Sequence, residues 1–252
     1  MKDLFQTYKP ISEVLRNYIS YYYFHSDKEE NKETAFTYYP NYKNAFTIYK
    51  NSKMELFNES HSITTPSKCG YTYCYAQLMR KFGKAQIQSP FNKIGVVFQP
   101  LGINHFIRKN LSDLISSQIS NTFNYFQEDI EKSLDKVYET DIIEEKVKLL
   151  DSYFENAFVG FKEEKLINAV QLIIAKESKY SVQSLADNLN INRKTLLRLF
   201  KKHLNCTVKE YIDLVQFRKA VDVYQNSDLK PSLTVLAYDM AYYDQSEFIH
   251  HF

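Results

Sequence analysis

The chain has 252 residues, a mass of 29.8 kDa and a formal net charge of +2, so it can bury a full core in one to two domains. With only 5 Gly and 6 Pro, the composition argues against a disordered or fibrous chain. The N-terminus has no apolar run typical of a signal peptide, and no stretch of about 18 apolar residues predicts a membrane span. The cysteines Cys69, Cys74 and Cys206 are odd in number, which is typical of reduced thiols. We therefore expect a cytoplasmic protein without a membrane partner.

Residues 1–110 combine one helical pattern with several strand patterns. Apolar residues at 11, 14, 15, 18 and 19 recur at helical spacing after Pro10, so we predict a helix over 11–19. The aromatic run 21–24 predicts a strand, and similar runs predict strands at 45–49, 71–75 and 94–98. Short strands at this spacing indicate a small barrel or sandwich.

From about residue 111 to the end the pattern becomes helical, with Gly only at 160 and Pro only at 231. We predict an α+β protein with a β-rich domain over 1–124, linking helices over 125–160 and an all-helical domain over 161–252. The linking helices carry apolar residues that suit either a second chain or an intramolecular interface: Leu134, Val137, Ile142, Val147, Leu150 and Phe154.

Residues 181–204 have the pattern of two short helices separated by a turn. Ser181 and Asn192 are candidate N-caps of the two helices. The first helix would bury Val182, Leu185, Ala186 and Leu189, and the second would bury Leu196, Leu199, Phe200 and Leu204. The outward-facing side chains of the second helix would then be Arg193, Lys194, Leu197, Arg198 and Lys201.

The segment from Asn188 to Lys209 is strongly basic, with six cations and neither Asp nor Glu. Such a run is typical either of a solvated helix face or of phosphate binding. The two-helix pattern around it favours phosphate binding, because a cationic helix of this layout fits the DNA major groove.

These residues resemble the DNA-binding domain of the AraC/XylS transcription regulators over about 162–252. The matching elements are residues 185–186, 196–201, 207–211, 217–220 and 233–248. The N-terminal 110 residues resemble the sensor domains of such regulators, in the Pro10 segment with the aromatic strand after it and in residues 97–102.

The resemblance implies a bacterial, sequence-specific DNA-binding regulator, with seven helices in its DNA-binding domain and two recognition helices about 34 Å apart along the duplex. It implies base contacts from Arg193, Lys194, Leu197 and Arg198 in the first recognition helix. In the second it implies base contacts from Gln245, Ser246, Ile249 and His250. Phosphate contacts are expected from Asn192, Lys201 and Lys202. Candidate partners besides double-stranded DNA are a small-molecule effector, a second copy of the chain and RNA polymerase.

Three positions depart from the family pattern. Asn205 stands where the family usually has Gly, and Asn can adopt the left-handed conformation that the turn requires. Ala241-Tyr242 replaces the usual Gly-Phe. The chain ends at Phe252, inside the expected second recognition helix, so the sequence predicts a DNA-binding domain that is incomplete at its C-terminus.

The alternative function is a ligand- or protein-binding module whose helical domain no longer binds DNA. An enzyme is a distant third, because no Gly-rich phosphate loop, nucleophile motif or convincing acid pair occurs. Cys69 and Cys74 would need two further metal ligands, and only His61 is near; His25, His61 and His105 are scattered singly. We therefore expect no metal and no cofactor.

Overall fold

The computed structural model describes residues 4–58, 60–117, 119–175, 180–227, 232 and 234–235. The chain divides into two compact units. Unit 1 contains Met1–Tyr38, Lys43–Gln77 and Gly83–Phe161; unit 2 contains Tyr39–Tyr42, Leu78–Phe82 and Lys162–Phe252. Within the described ranges, no helix combines the length and the apolar composition that crossing a membrane requires.

Unit 1 is built on one curled sheet of eight strands. The strands are β1 (Leu4–Tyr8), β2 (Ile19–Asp27), β3 (Glu33–Tyr38), β4 (Ala45–Asn58), β5 (His61–Ala76), β6 (Gly83–Gln88), β7 (Phe91–Phe98) and β8 (Ile119–Ser120). Their order is β1-β2-β7-β4-β5-β6-β3, with β8 also paired to β5, and only β5 and β6 run parallel. The predicted strands at 21–24, 45–49, 71–75 and 94–98 are confirmed, and the α+β class is confirmed with them.

One face of this sheet packs against helices α1 (Leu111–Leu114), α2 (Gln127–Glu139) and α3 (Ile143–Ala157). Side chains alternate across a strand, so Tyr22 and Phe24 of β2 face this core together. The apolar residues of the linking helices are buried in the same core: Leu134, Val137, Val147, Leu150 and Phe154. Ile142 is 58% exposed. These residues, apart from Ile142, therefore pack within the chain, as the second of the two interpretations predicts.

The prediction of a helix over residues 11–19 is wrong. The structure has a single 3-10 turn at Leu15–Asn17, and Ile19 already begins β2. The backbone N–H of Ser12, just before this turn, donates to Asp151 Oδ2 at 2.8 Å. Val14, one of the apolar residues of that spacing, is 60% exposed. In this segment the apolar spacing belongs to a turn, from which single residues such as Leu15 are buried in the core.

The described helices of unit 2 are α4 (Glu164–Ala175), α5 (Val182–Asn188), α6 (Arg193–Leu204) and α7 (Val208–Asn226). Two short segments from the first half of the sequence, Tyr39–Tyr42 and Leu78–Phe82, belong to this unit. They are joined to each other by two backbone hydrogen bonds between Asn41 and Met79, at 2.9 and 3.0 Å.

Candidate DNA-binding surface

The predicted two-helix pattern is present as α5, a turn and α6. Ser181 Oγ accepts the N–H of Ser184 at 3.0 Å and caps α5, and Asn192 Oδ1 accepts the N–H of Thr195 at 2.8 Å and caps α6. Both predicted caps are confirmed. Between the helices Asn190 has φ of 51°, a left-handed conformation that Asn tolerates better than most residues. The sequence analysis did not single out Asn190, although an Asn directly after a short helix is a known stop signal.

The inner side of α6 holds the helix in unit 2. Leu196, Phe200 and Leu204 are buried as predicted, while Leu199 is only half-buried. The ring of Phe200 meets the ring of Tyr211 edge-on, with centroids 5.6 Å apart. On α5, Leu185 and Ala186 are buried, as is Leu189 just after it, whereas Val182 is half-buried.

The outer side of α6 is cationic and accessible. Arg193, Lys194, Arg198 and Lys201 are exposed, whereas Leu197 and Lys202 are half-buried. Within the described part of the chain, none of these five cations forms an ion pair with a carboxylate. Their charges therefore remain available to an external partner.

The first turn of α6 places positive charge at the positive end of a helix. Arg193 and Lys194 lie there, and the turn contains no acidic residue. Cations at a helix N-terminus are unfavourable by a few tenths of a kcal/mol to about 1 kcal/mol each. A bound anion such as a phosphate relieves this repulsion, because helix N-termini and cations both attract it. The local electrostatics thus favour an anionic ligand at this end of α6.

The C-terminal end of α6 shows why Asn205 can stand where the family usually has Gly. This residue has φ 55° and ψ 31°, the left-handed conformation that Gly usually supplies, and its N–H donates to the carbonyl of Lys201 at 3.2 Å. The prediction that Asn205 preserves the turn is confirmed. Helix α7 follows with a capping box, in which Thr207 and Glu210 exchange side-chain to backbone hydrogen bonds.

His203 is a buried member of α6 that the sequence analysis missed. Its Nε2 lies 3.7 Å from Glu163 Oε1. Burial lowers the pKa of His203 and neighbouring Lys202 lowers it further, while Glu163 acts in the opposite direction. The spacing of 196, 200 and 203 places His203 on the apolar side of the helix, which is the signal that would have identified it.

An open groove of about 810 Å³ runs from α5 across the turn to the first turn of α6. It is lined by Gln183, Asp187, Asn190, Ile191, Asn192, Arg193 and Thr195. Most of these side chains carry hydrogen-bonding groups, so the groove adds polar positions beside Arg193 that the predicted contact set did not include.

The predicted base contacts of the second recognition helix, Gln245, Ser246, Ile249 and His250, lie outside the described residues. The Ala241-Tyr242 position does as well. Where the structure describes the chain, no group of three or more His, Cys, Asp or Glu could hold a metal ion. Cys74 is buried, and burial raises the pKa of its thiol to about 12.

Comparisons with known proteins agree with this layout in the C-terminal part. The profile of a helix-turn-helix domain family matches residues 185–252. No curated protein matches the sequence.

Solved structures of ToxT from Vibrio cholerae are similar to this chain over most of its length. The apo form of a ToxT variant is 11% identical, with 92% of each chain covered and a TM-score of 0.48. Another ToxT structure is 14% identical, with 100% of this chain and 94% of that chain covered and a TM-score of 0.46. Wild-type ToxT bound to an unsaturated fatty acid is 14% identical, with 92% and 90% covered and a TM-score of 0.46. The helix-turn-helix match, rather than this likeness, bears on function.

Proposed function

We propose, from the match of residues 185–252 to a helix-turn-helix domain family, that the protein is a sequence-specific DNA-binding transcription regulator of the AraC type. The observation that carries the proposal is the outer side of α6. A capped helix, fixed by Leu196, Phe200 and Leu204, offers exposed cations that no described carboxylate neutralises. A helix of this kind fits the major groove with its first two turns against base edges.

The outward side chains of α6 and its N-cap Asn192 have distinct roles in this proposal. Arg198 pairs with a guanine, Arg193 and Lys194 contact base edges, and Leu197 packs on a thymine methyl group. Lys201 and Lys202 bind phosphates and set the register. Asn192 uses Oδ1 for its cap, which leaves its side-chain NH₂ to donate to a phosphate. Gln245, Ser246, Ile249 and His250 make the corresponding base contacts one helical turn away.

The remaining parts of the chain control this activity. The β-rich domain over 1–124 receives a small-molecule or protein signal, residues 125–160 link it to the DNA-binding domain over 161–252, and the signal biases two states by a few kcal/mol. The protein acts in the bacterial cytoplasm as a regulator and not as an enzyme. A second copy of the chain and RNA polymerase are its further partners.

The test is DNA binding by the full chain, measured by fluorescence anisotropy. The chain first selects a duplex from a random-sequence pool, and its affinity is then compared with that for a scrambled duplex of the same composition. We expect selective binding at moderate salt and a linear fall of log affinity with log salt, with a slope of about −0.9 per phosphate contact. Binding without selectivity, or no binding, would favour the ligand- or protein-binding module that has lost DNA recognition.

The phosphate contacts are tested one at a time. Lys201→Ala and Lys202→Ala should each weaken binding to selected and scrambled duplexes alike and reduce the salt slope by about 1. Lys84→Ala is the matched control, because Lys84 is an exposed lysine of β6. A slope that Lys84→Ala changes as much as Lys201→Ala would remove α6 from the interface.

A further inference from the structure

Unit 2 contains two segments that are distant in sequence from its helices. Tyr39–Tyr42 connects β3 to β4, and Leu78–Phe82 connects β5 to β6. The two backbone hydrogen bonds between Asn41 and Met79 join them, and Leu78 and Met79 are buried. We call this pair of segments the clasp. Each half of the clasp is covalently continuous with two strands of the sheet.

The clasp holds the first turn of α7 by an ion pair. Arg80 Nη1 lies 3.0 Å from Glu210 Oε1, while Glu210 Oε2 accepts the N–H of Thr207 at 2.6 Å. Burial acts to raise the pKa of Glu210, but the hydrogen bonds from Thr207 and the charge of Arg80 outweigh it, and the pKa is lowered. Glu210 is therefore charged at neutral pH and joins the N-cap of α7 to the clasp.

The clasp also reaches α6 through a row of rings. Tyr42 meets Tyr211 edge-on at 6.1 Å between centroids, and Tyr211 in turn meets Phe200 of α6 at 5.6 Å. Phe200 and Tyr211 are fully buried, so a shift of one ring must displace the next. The charges of Asp222 and Arg218, further along α7, also act on the Tyr42 hydroxyl. Tyr42 is thus placed against α7 and reaches α6 only through Tyr211.

We propose that the clasp is the element through which the state of the sheet regulates DNA binding, with the engaged clasp favouring the DNA-binding state. This inference rests on the proposed function. Arg80 and Tyr42 are not among the predicted base or phosphate contacts; in this proposal they act on α6 through Glu210, Tyr211 and Phe200. They are positioning residues. Because the clasp is covalently joined to β3, β4, β5 and β6, a signal that moves the ends of these strands also moves the clasp and, through it, α6.

The experiment is a double-mutant cycle read out by DNA affinity and salt slope. Arg80→Ala and Glu210→Gln, the latter retaining an oxygen for the Thr207 N–H, should each lower affinity for the selected duplex about fivefold, the lower end of usual allosteric couplings. The double variant should lose about fivefold as well, because both substitutions remove one contact. Salt slopes should stay at the wild-type value. Lys81→Ala, which removes the neighbouring exposed cation, should bind as wild type.

A second variant tests the other half of the clasp independently. Tyr42→Leu should lower affinity in the same way with an unchanged salt slope. By reciprocity, the selected duplex should slow amide hydrogen exchange over 39–42 and 78–82 in the wild-type chain, and less so in Arg80→Ala.

The outcomes separate the two proposals. A wild-type chain that selects no duplex overturns the regulator. A wild-type chain that binds selectively, with Arg80→Ala and Tyr42→Leu both equal to Lys81→Ala, overturns the clasp alone. A salt slope that Arg80→Ala reduces by about 0.9 would make Arg80 a phosphate contact and also overturn the clasp.

Discussion

Two buried lysines of unit 1 and the exposed cations of α6 in unit 2 have different partners. In unit 1, Lys93 is 4% exposed and its ammonium group lies 5.0 Å from the ring centre of Phe36, and Lys146 Nζ donates to the carbonyl of Val137 at 2.8 Å. In unit 2, the outer side of α6 leaves its cations exposed and without a described carboxylate partner. Buried cations need internal partners because desolvation is costly, whereas exposed cations remain hydrated until an anion replaces the water. Lys93 and Lys146 therefore contribute to the interior of unit 1, whereas the exposed cations of α6 stay accessible to an external anion.

The largest effect that this comparison predicts is in the core of unit 1. Phe154 is fully buried and meets the rings of Phe106 and Tyr153, with centroids 5.2 and 5.1 Å away. Phe154→Ala should lower the free energy of unfolding by about 3–5 kcal/mol, because it removes buried surface and leaves a cavity. Urea denaturation measures the loss. Phe57→Ala, at a position 59% exposed, is the control and should change stability far less. Equal losses would show that the aromatic core is not where unit 1 is stabilised.

The next effect concerns a buried polar group of unit 1. Tyr22 Oη donates to Asp151 Oδ1 at 2.8 Å. Tyr22→Phe should cost about 1.5–3 kcal/mol, the usual contribution of a hydrogen bond to a charged group.

The cost of Tyr22→Phe should depend on pH. Burial raises the pKa of Asp151, and the hydrogen bonds from Ser12 and Tyr22 counteract the rise. An acid whose pKa is raised on folding contributes stability below its ordinary pKa and loses it as pH rises through the raised value. Without the Tyr22 donor the pKa rises further, so the cost should be larger at pH 7 than at pH 3. Urea denaturation at both pH values checks this, and Tyr8→Phe, at a partly exposed position, should cost little at either.

The sequence predicted most of the local structure because local signals carried it. Strands such as 45–49 and 94–98 are short runs rich in β-branched and aromatic residues, which favour strands. The caps Ser181 and Asn192, and the left-handed Asn205, follow from the chemistry of single side chains. The exposed cations of α6 then followed from helical periodicity alone.

The contacts that the sequence did not predict join residues far apart in the chain. Asp151 accepts the N–H of Ser12 across 139 positions and holds a turn where periodicity predicted a helix. Arg80 and Glu210 are 130 positions apart, and neither residue carries a local pattern that indicates the other. Such pairs depend on how the elements pack, which no window of periodicity contains. The clasp could therefore be found only in the folded chain.

Arg198 tests the role of the exposed cations of α6 in unit 2. Because it is exposed and has no described carboxylate partner, Arg198→Ala should change the free energy of unfolding by less than about 0.5 kcal/mol. Its affinity for the selected duplex should fall by about 1–3 kcal/mol, with a relaxed sequence preference. Anisotropy with selected and scrambled duplexes separates the two roles. An equal loss on both duplexes would make Arg198 a phosphate contact, and a large loss of stability would contradict the view that α6 keeps its cations for a ligand.

The smallest effect should come from His203, which behaves like the buried polar groups of unit 1 although it belongs to α6. Its pKa is lowered by burial and by Lys202, so the unfolded chain binds its proton more readily than the folded chain. The stability that neutral His203 permits is therefore fully present above its ordinary pKa of 6.5, and it is lost as pH falls below 6.5 towards the lowered pKa of the folded chain. The measurement is hydrogen exchange of the α6 amides at pH 7 and pH 5, corrected for intrinsic rates. It should show this loss of stability in the wild-type chain and a weaker loss in His203→Gln. The control variant His61→Gln should lose as much as the wild type. Glu163→Gln should deepen the loss, because the carboxylate 3.7 Å away favours the protonated ring. If Glu163→Gln has no effect, the two groups do not interact in solution, and the pH response of α6 depends on burial and Lys202 alone.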